Sequence, residues 1–199
     1  MFDDSTRLHH DGTYLYVADR LHGQIWKFDS SNSGTVVIQG LTNPLDVTTD
    51  PSGNIYVIGR CSGIGYLYCT NTWVKKFSST GTLLWTSPST AIKYGTGIAY
   101  YSGQVFALQV HFQTANTKIV KLDADDGSLD GSFTYGNGKS RSYYWEDLDV
   151  DDDTGDIWMI WRHYSQSTLR KYTRSTGGSY SANSYTDCQY NGEIGRAHV

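Results

Sequence analysis

Asp46 and Asp147 stand at matching places in two segments of one pattern, Leu45-Asp46-Val47-Thr48 and Glu146-Asp147-Leu148-Asp149. Asn43 and Glu146 lie beside them. Carboxylates and a side-chain amide converging on one place are what a hard cation requires, since Ca²⁺ takes about six to eight oxygens. Asp46, Asp147, Glu146 and Asn43 are therefore the candidate metal ligands, and calcium is the cofactor they would take. The same residue types also serve as solvated strand-start carboxylates or turn caps. The acidic run over residues 146–153 lacks the glycine and terminal glutamate of an EF-hand loop, and its second half reads as a turn before Thr154-Gly155.

A second column of side chains carries positive charge. Arg20, Arg60 and Arg162 follow equivalent apolar runs, with Val110 at the matching place in the remaining copy. One position on stand Leu21, Cys61, His111 and His163, with His22 nearby. Guanidinium groups on one face suit a carboxylate, phosphate or sulfate, which arginine grips with two parallel hydrogen bonds. Histidines there could ligate Zn²⁺. The plainer alternative is an arginine that recurs because the repeat recurs, pairing each time with a neighbouring unit. Trp145, Tyr143, Tyr144, Trp161 and Tyr164 fall near the same end, and exposed aromatics of this kind stack on sugars or grip peptides. The candidate ligand-binding residues are thus Arg20, Arg60, Arg162, His111, His163, Trp145 and Trp161. No nucleophile elbow, phosphate-cradling glycine loop or His-Glu-x-x-His is present in the sequence, so no catalytic residue is assigned.

These columns exist because the chain repeats. Tyr14-Leu15-Tyr16-Val17-Ala18, Asn54-Ile55-Tyr56-Val57-Ile58, Gln104-Val105-Phe106-Ala107-Leu108 and Asp156-Ile157-Trp158-Met159-Ile160 align, each after a glycine turn. Each is followed by a run of apolar-x-Lys-apolar form: Ile25-Trp26-Lys27-Phe28, Val74-Lys75-Lys76-Phe77, Ile119-Val120-Lys121-Leu122 and Leu169-Arg170-Lys171-Tyr172. A further turn and a closing strand complete the unit, as in Thr82-Leu83-Leu84-Trp85. A repeat of about 45–50 residues made of four short strands is one propeller blade. The expected fold is all-β, a β-propeller with about four four-stranded blades, and residues 1–192 form that single domain. The innermost strands are expected over residues 45–49, 97–101 and 147–151. A sandwich has similar strand spacing but gives no reason for four copies in one order. Lys27, Lys76, Lys121 and Lys171 are expected to face outward into solvent, with Trp26, Trp85 and Trp158 in the core.

Composition agrees with this reading. The 199 residues include 21 Gly, 16 Tyr and 6 Trp, which suit turns and half-buried strands. A formal net charge of -4 argues against nucleic-acid partners and against binding to an anionic membrane surface. No apolar stretch is long enough for a membrane-spanning helix. Of three cysteines, Cys61 and Cys69 bracket a Gly- and Tyr-rich segment. A disulfide between them would pin that loop and imply an oxidising compartment, which favours an extracellular location, whereas two free thiols would not.

Asn43-Pro44-Leu45-Asp46-Val47-Thr48-Thr49-Asp50-Pro51-Ser52-Gly53-Asn54-Ile55-Tyr56-Val57 resembles the opening of an NHL repeat. Tyr14-Leu15-Tyr16-Val17-Ala18-Asp19 with Gln24-Ile25-Trp26-Lys27-Phe28 resembles its second half. The resemblance covers roughly residues 5–180 and is fainter in the third copy, which lacks the proline and the aspartate. It implies a six-bladed ring of which four blades are present. Thr80-Gly81-Thr82-Leu83-Leu84-Trp85 is also similar to the quinoprotein-type propeller repeat. Six-bladed lactonase-like propellers hold an axial Ca²⁺ with Glu, Asn and Asp, and the NHL-like amidating lyases use metal-binding histidines and an arginine. The resemblance therefore implies either a binding propeller for a protein, peptide or glycan, or a metal-dependent hydrolase or lyase with its site at the channel mouth. Such motifs identify a fold, not a function.

Glu193-Ile194-Gly195-Arg196-Ala197-His198-Val199 resembles the in-frame translation of a sequencing adapter. Residues 193–199 are accordingly expected to be a non-native tail, with the natural chain continuing beyond Gly192. An open arc of four blades would leave sheet faces exposed and would be expected to associate.

Overall fold

The computed structural model describes residues 7–61, 71–88, 90–109, 118–134, 144–163, 166–176 and 178–190, with the side chains at 133–134, 144–146, 161–163, 166–168 and 181–190 left undescribed. It is all-β. The first blade holds β1 (Arg7–His10), β2 (Leu15–Asp19), β3 (Gln24–Phe28) and β4 (Gly34–Ile38). The second holds β5 (Pro44–Thr49), β6 (Ile55–Arg60), β7 (Thr72–Phe77) and β8 (Leu83–Thr86). The third holds β9 (Gly95–Tyr101), β10 (Gln104–Gln109), β11 (Lys118–Asp123) and β12 (Leu129–Thr134). The fourth holds β13 (Tyr144–Val150), β14 (Ile157–His163), β15 (Gln166–Arg174) and β16 (Tyr180–Tyr190). Each blade is a separate antiparallel sheet with its strands in chain order, which is the propeller arrangement and not a sandwich. The first strands pack on one another in succession, β1 on β5, β5 on β9 and β9 on β13. The innermost strands thus begin one to three residues earlier than the repeat suggested, and β1 supplies the inner strand of the first blade.

Turn chemistry sets the strand ends. Asp11 Oδ1 accepts the Thr13 and Tyr14 amides, Asp50 Oδ1 those of Ser52 and Asn54, and Asp151 Oδ1 those of Asp153 and Thr154. An aspartate that holds the amides two or more residues on offers the chain a ready reversal. Between turns the second strands are apolar on both faces. Ile55, Tyr56, Val57 and Ile58 are all fully buried: Ile55 and Val57 join a cluster with Tyr16 and Ile25 of the first blade, and Tyr56 and Ile58 join one with Ile98 and Val105 of the third. A sheet covered on both sides reads as a continuous apolar run instead of an alternating one. Phe106, Leu108, Leu148, Ile157 and Met159 fill the space between the third and fourth blades in the same way.

The recurring lysines are not uniformly solvated. Lys76 is only 8 % exposed, its Nζ donates to the Ala124 carbonyl at 2.9 Å, and it lies over the Tyr56 ring. The same carbonyl accepts Trp85 Nε1 at 3.1 Å. Lys171 Nζ pairs with Asp156 Oδ2 at 2.7 Å, and Lys27 covers the Tyr14 ring. Trp26, Trp85 and Trp158 are half-buried, Trp85 packing against the core between the second and third blades and Trp158 lying under Lys171. A buried ammonium persists only where it is hydrogen-bonded, so Lys76 fastens the second blade to the third. Lys76→Ala is expected to cost about 1–3 kcal/mol in urea unfolding, because it leaves the cavity and one lost charge-assisted bond. Lys27→Ala should cost no more than about 1 kcal/mol, the size of an exposed cation–π contact. Equal losses would show that Lys76 has no special partner.

Cys61, at the end of the second strand of its blade, is disulfide-bonded. Its partner sulfur, on Cys69 or Cys188, lies outside the described side chains.

Candidate functional site

Strand register puts four residues at one level around the axis. Arg7 pairs with Ala18, Asp46 with Ile58, Gly97 with Leu108 and Asp147 with Ile160, and the four partners are equivalent positions of the repeat. In β5, β9 and β13 the register slips just before this level, leaving Leu45, Thr96 and Glu146 as the extra residues. Such a bulge twists the strand and re-aims the next side chain.

Two of the predicted oxygen ligands therefore do come together, with a third charge between them. Arg7 Nη1 donates to Asp147 Oδ1 and lies 3.6 Å from Asp46 Oδ2. Asp46 is 5 % exposed, and its two oxygens accept backbone amides, Oδ1 from Val47 at 2.9 Å and Oδ2 from Ile98 at 3.0 Å. Asp147 Oδ1 also accepts the Leu148 amide at 2.9 Å. Burial pushes the Asp46 carboxyl up to about 8; the nearby Asp147 charge adds to the rise, while Arg7 and the two amides oppose it. At the fourth position a Cβ on Gly97 would lie 3.0 Å from Asp147 Oδ1 and 3.4 Å from Arg7 Nη1, so glycine leaves room for the pair.

Two residues further along, His9, Thr48, Ala99 and Asp149 form a second level. His9 Nε2 is 2.9 Å from the hydroxyl of Thr49. Burial lowers the His9 pKa, against the pull of the Asp149 charge, and partial removal from water raises the Asp149 carboxyl. Below the first level a cavity of about 870 Å³ opens, lined by His9, Thr49, Tyr100, Asp147, Asp149 and Asp152 among others. That volume is within the range that holds a small organic ligand.

The remaining predicted residues are placed as follows. Asn43 adopts φ 45°, its carbonyl accepts the Arg60 amide at 3.1 Å, and its side-chain Nδ2 donates to the Cys61 carbonyl at 3.2 Å. Asn43 thus shapes the loop that leads into β5 and is not turned to the axis. Arg60 Nε donates to the Gly95 carbonyl at 2.9 Å and Nη2 lies 3.4 Å from that of Tyr94, so it clasps the start of the next blade. Arg20 is half-buried just beyond β2. Glu146 occupies the bulge of β13, Trp145 faces Trp161 and Tyr144 faces Arg162 in the β13–β14 register, and His163 ends β14; their side chains lie outside the description. His111 falls outside the described residues altogether. Arg7, His9 and Thr49 were not singled out from sequence.

Among the described residues no group of three or more His, Cys, Asp or Glu is arranged to hold a metal ion. Both oxygens of Asp46 and Oδ1 of Asp147 already hold amides or a guanidinium, and neither Gly97 nor Arg7 adds an acceptor. The described side chains of this level do not make up a calcium shell.

No protein-family model matches the chain, and no curated protein matches it by sequence. Solved structures do match in fold. The chain is similar to a gluconolactonase of Xanthomonas campestris, with a TM-score of 0.57, 13% identity, and 84% of this chain aligned to 56% of that one. It is similar to regucalcin, a calcium-binding protein of Agrobacterium tumefaciens, with a TM-score of 0.57, 14% identity and coverage of 93% and 59%. It is also similar to a chain of a nidogen/laminin complex, with a TM-score of 0.55, 13% identity and coverage of 79% and 55%. The chain therefore spans between 55% and 59% of the length of these proteins. At such low identity the likeness establishes the β-propeller and nothing finer.

Proposed function

We propose that this propeller is a binding module of NHL type that presents the loops at one end of its inner strands to a protein, peptide or glycan ligand. One observation carries the reading: the β13–β14 register sets Trp145 opposite Trp161 and Tyr144 opposite Arg162. Aromatic and cationic residue types, which dominate recognition surfaces, at one strand end support this reading. Arg60 and Asn43 mark the same end of the second blade. The likeness to a chain of a nidogen/laminin complex is in keeping with a protein partner. An oxidising, extracellular setting accords with the disulfide at Cys61.

The test is a glycan and peptide array probed with the purified chain, followed by titration of the strongest ligand. Trp145→Ala and Trp161→Ala are each expected to weaken that ligand about thirtyfold, the effect of losing an interface hot spot of about 2 kcal/mol. Unchanged affinity in both variants would end the reading. A second reading, a hydrolase or lyase, draws on His9 and Asp149 beside the axial cavity. A blank array together with His9-dependent opening of lactones or esters would favour it.

A further inference from the structure

We infer that the axis of this propeller carries its own cation: the Arg7 guanidinium sits between Asp46 and Asp147 in the place a divalent ion would take, and in doing so ties β1 to β5 and β13. The inference stands independently of which ligand the loops bind. It rests on the four equivalent positions at the first axial level. Two are carboxylates, one is glycine and one is arginine. The Arg7 group reaches both carboxylates at once, although it comes from a strand that is 39 residues before Asp46 and 140 before Asp147.

Three physical arguments support this. First, arginine does not surrender its proton in proteins, so Arg7 cannot step aside as a neutral group when a metal arrives. Second, three of the four carboxylate oxygens are committed. Both oxygens of Asp46 and Oδ1 of Asp147 accept backbone amides, and Arg7 takes a further direction on Asp147 Oδ1. A calcium ion would have to win about six to eight oxygens from a level with one guanidinium and one side chain of hydrogen alone. Third, the alternative state is costly. Without Arg7 the two acidic side chains would face each other with no cation between them, so that one of them must hold a proton instead of ionising. That uncompensated pair is what a divalent ion could then relieve.

The experiment is isothermal titration with CaCl₂ and thermal unfolding in CaCl₂ against EDTA, on the whole chain. Wild type is expected to show the same midpoint in both solutions. Arg7→Gln is expected to melt lower in EDTA, to regain part of the loss in CaCl₂, and to bind Ca²⁺ at least about tenfold more tightly than wild type, which corresponds to about 1.4 kcal/mol. Arg7→Lys, which keeps the charge, is expected to remain indifferent to calcium. The double variant Arg7→Gln/Asp147→Asn removes the cation and one of its carboxylates together. It is expected to be more stable in EDTA than Arg7→Gln alone, and this comparison decides the matter if the single variant does not fold. Stoichiometric Ca²⁺ binding by wild type that Asp147→Asn abolishes would overturn the inference. So would an Arg7→Gln chain that ignores calcium, or a double variant in which the two losses simply add.

Discussion

Asp46→Ala is expected to be among the most damaging single substitutions in this chain, lowering the unfolding free energy by about 3–5 kcal/mol. The residue is 5 % exposed and accepts the amides of Val47 and Ile98 on separate oxygens, with the Arg7 guanidinium beside them. Alanine leaves two buried donors without this acceptor and takes an acidic neighbour from Arg7, and each unmet buried group carries its desolvation cost. Asp46→Asn should cost less, about 1–3 kcal/mol, because the carbonyl still receives one amide while the new NH₂ meets the other donors.

The same residue gives a pH signature. Burial, helped by Asp147 and opposed by Arg7 and the two amides, raises its folded pKa to about 8, above the ordinary value for an unfolded aspartate. The folded chain therefore holds this proton more tightly than the unfolded chain. The stability it contributes is fully present below about pH 4 and is lost as pH rises through about 8. Two influences run the other way. His9 has a lowered folded pKa, so its contribution is lost as pH falls below the ordinary histidine value. The turn carboxyls of Asp11 and Asp151 are lowered, and theirs is lost as pH falls below the ordinary carboxylate range. Urea unfolding at pH 5, 7 and 9 separates these influences. Wild type should lose stability between pH 7 and 9 relative to Asp46→Asn, whose side chain has no proton to lose. Parallel profiles for the two proteins would mean that Asp46 titrates normally and that the axial level is solvated.

Much of the blade was legible because the information is local. The run Ile55-Tyr56-Val57-Ile58 is buried on both faces, and the Asp and Ser turns hold amides within four residues of themselves. The equivalence of Asp46 and Asp147 followed from the same counting. What sequence did not reveal depends on partners far along the chain. Lys76 looks like any lysine of the repeat, and it is buried because Ala124, 48 residues away, offers a carbonyl there. Arg60 reads as a free anion-binding group until Gly95, 35 residues on, is placed against it. Arg7 escaped for another reason. It stands eleven residues before Ala18, as Gly97 stands eleven before Leu108, but an arginine at that level does not resemble the aspartates that mark it in the second and fourth copies. A repeat shows which positions correspond; it does not show which of them meet.

Two turn glycines show how far that distinction goes. Gly53, between β5 and β6, and Gly81, between β7 and β8, occupy turns of the same form: Gly53 N donates to the Asp50 carbonyl and Gly81 N to the Ser78 carbonyl, both at 2.9 Å, with φ of 78° and 86°. From sequence and backbone alone their replacement by alanine should cost the same, about 1 kcal/mol for a side chain in the left-handed region. Their surroundings differ. A Cβ on Gly53 would meet nothing nearer than the Ser79 Cβ at 3.5 Å, which is ordinary contact. A Cβ on Gly81 would run into the Val37 carbonyl of β4, a backbone atom of the preceding blade, with Ile38 behind it at 3.7 Å. Backbone cannot rotate away as a side chain can, so the blades themselves must separate, at the cost of an overpacked interior. Gly81→Ala is therefore expected to destabilise by roughly 2–4 kcal/mol against about 1 kcal/mol for Gly53→Ala. Chemical denaturation of the two variants side by side reads the difference. Equal losses would mean that the first and second blades do not approach at this turn. A larger loss at Gly81 would mean that one turn glycine sets only its own turn while the other also sets the spacing between the first and second blades.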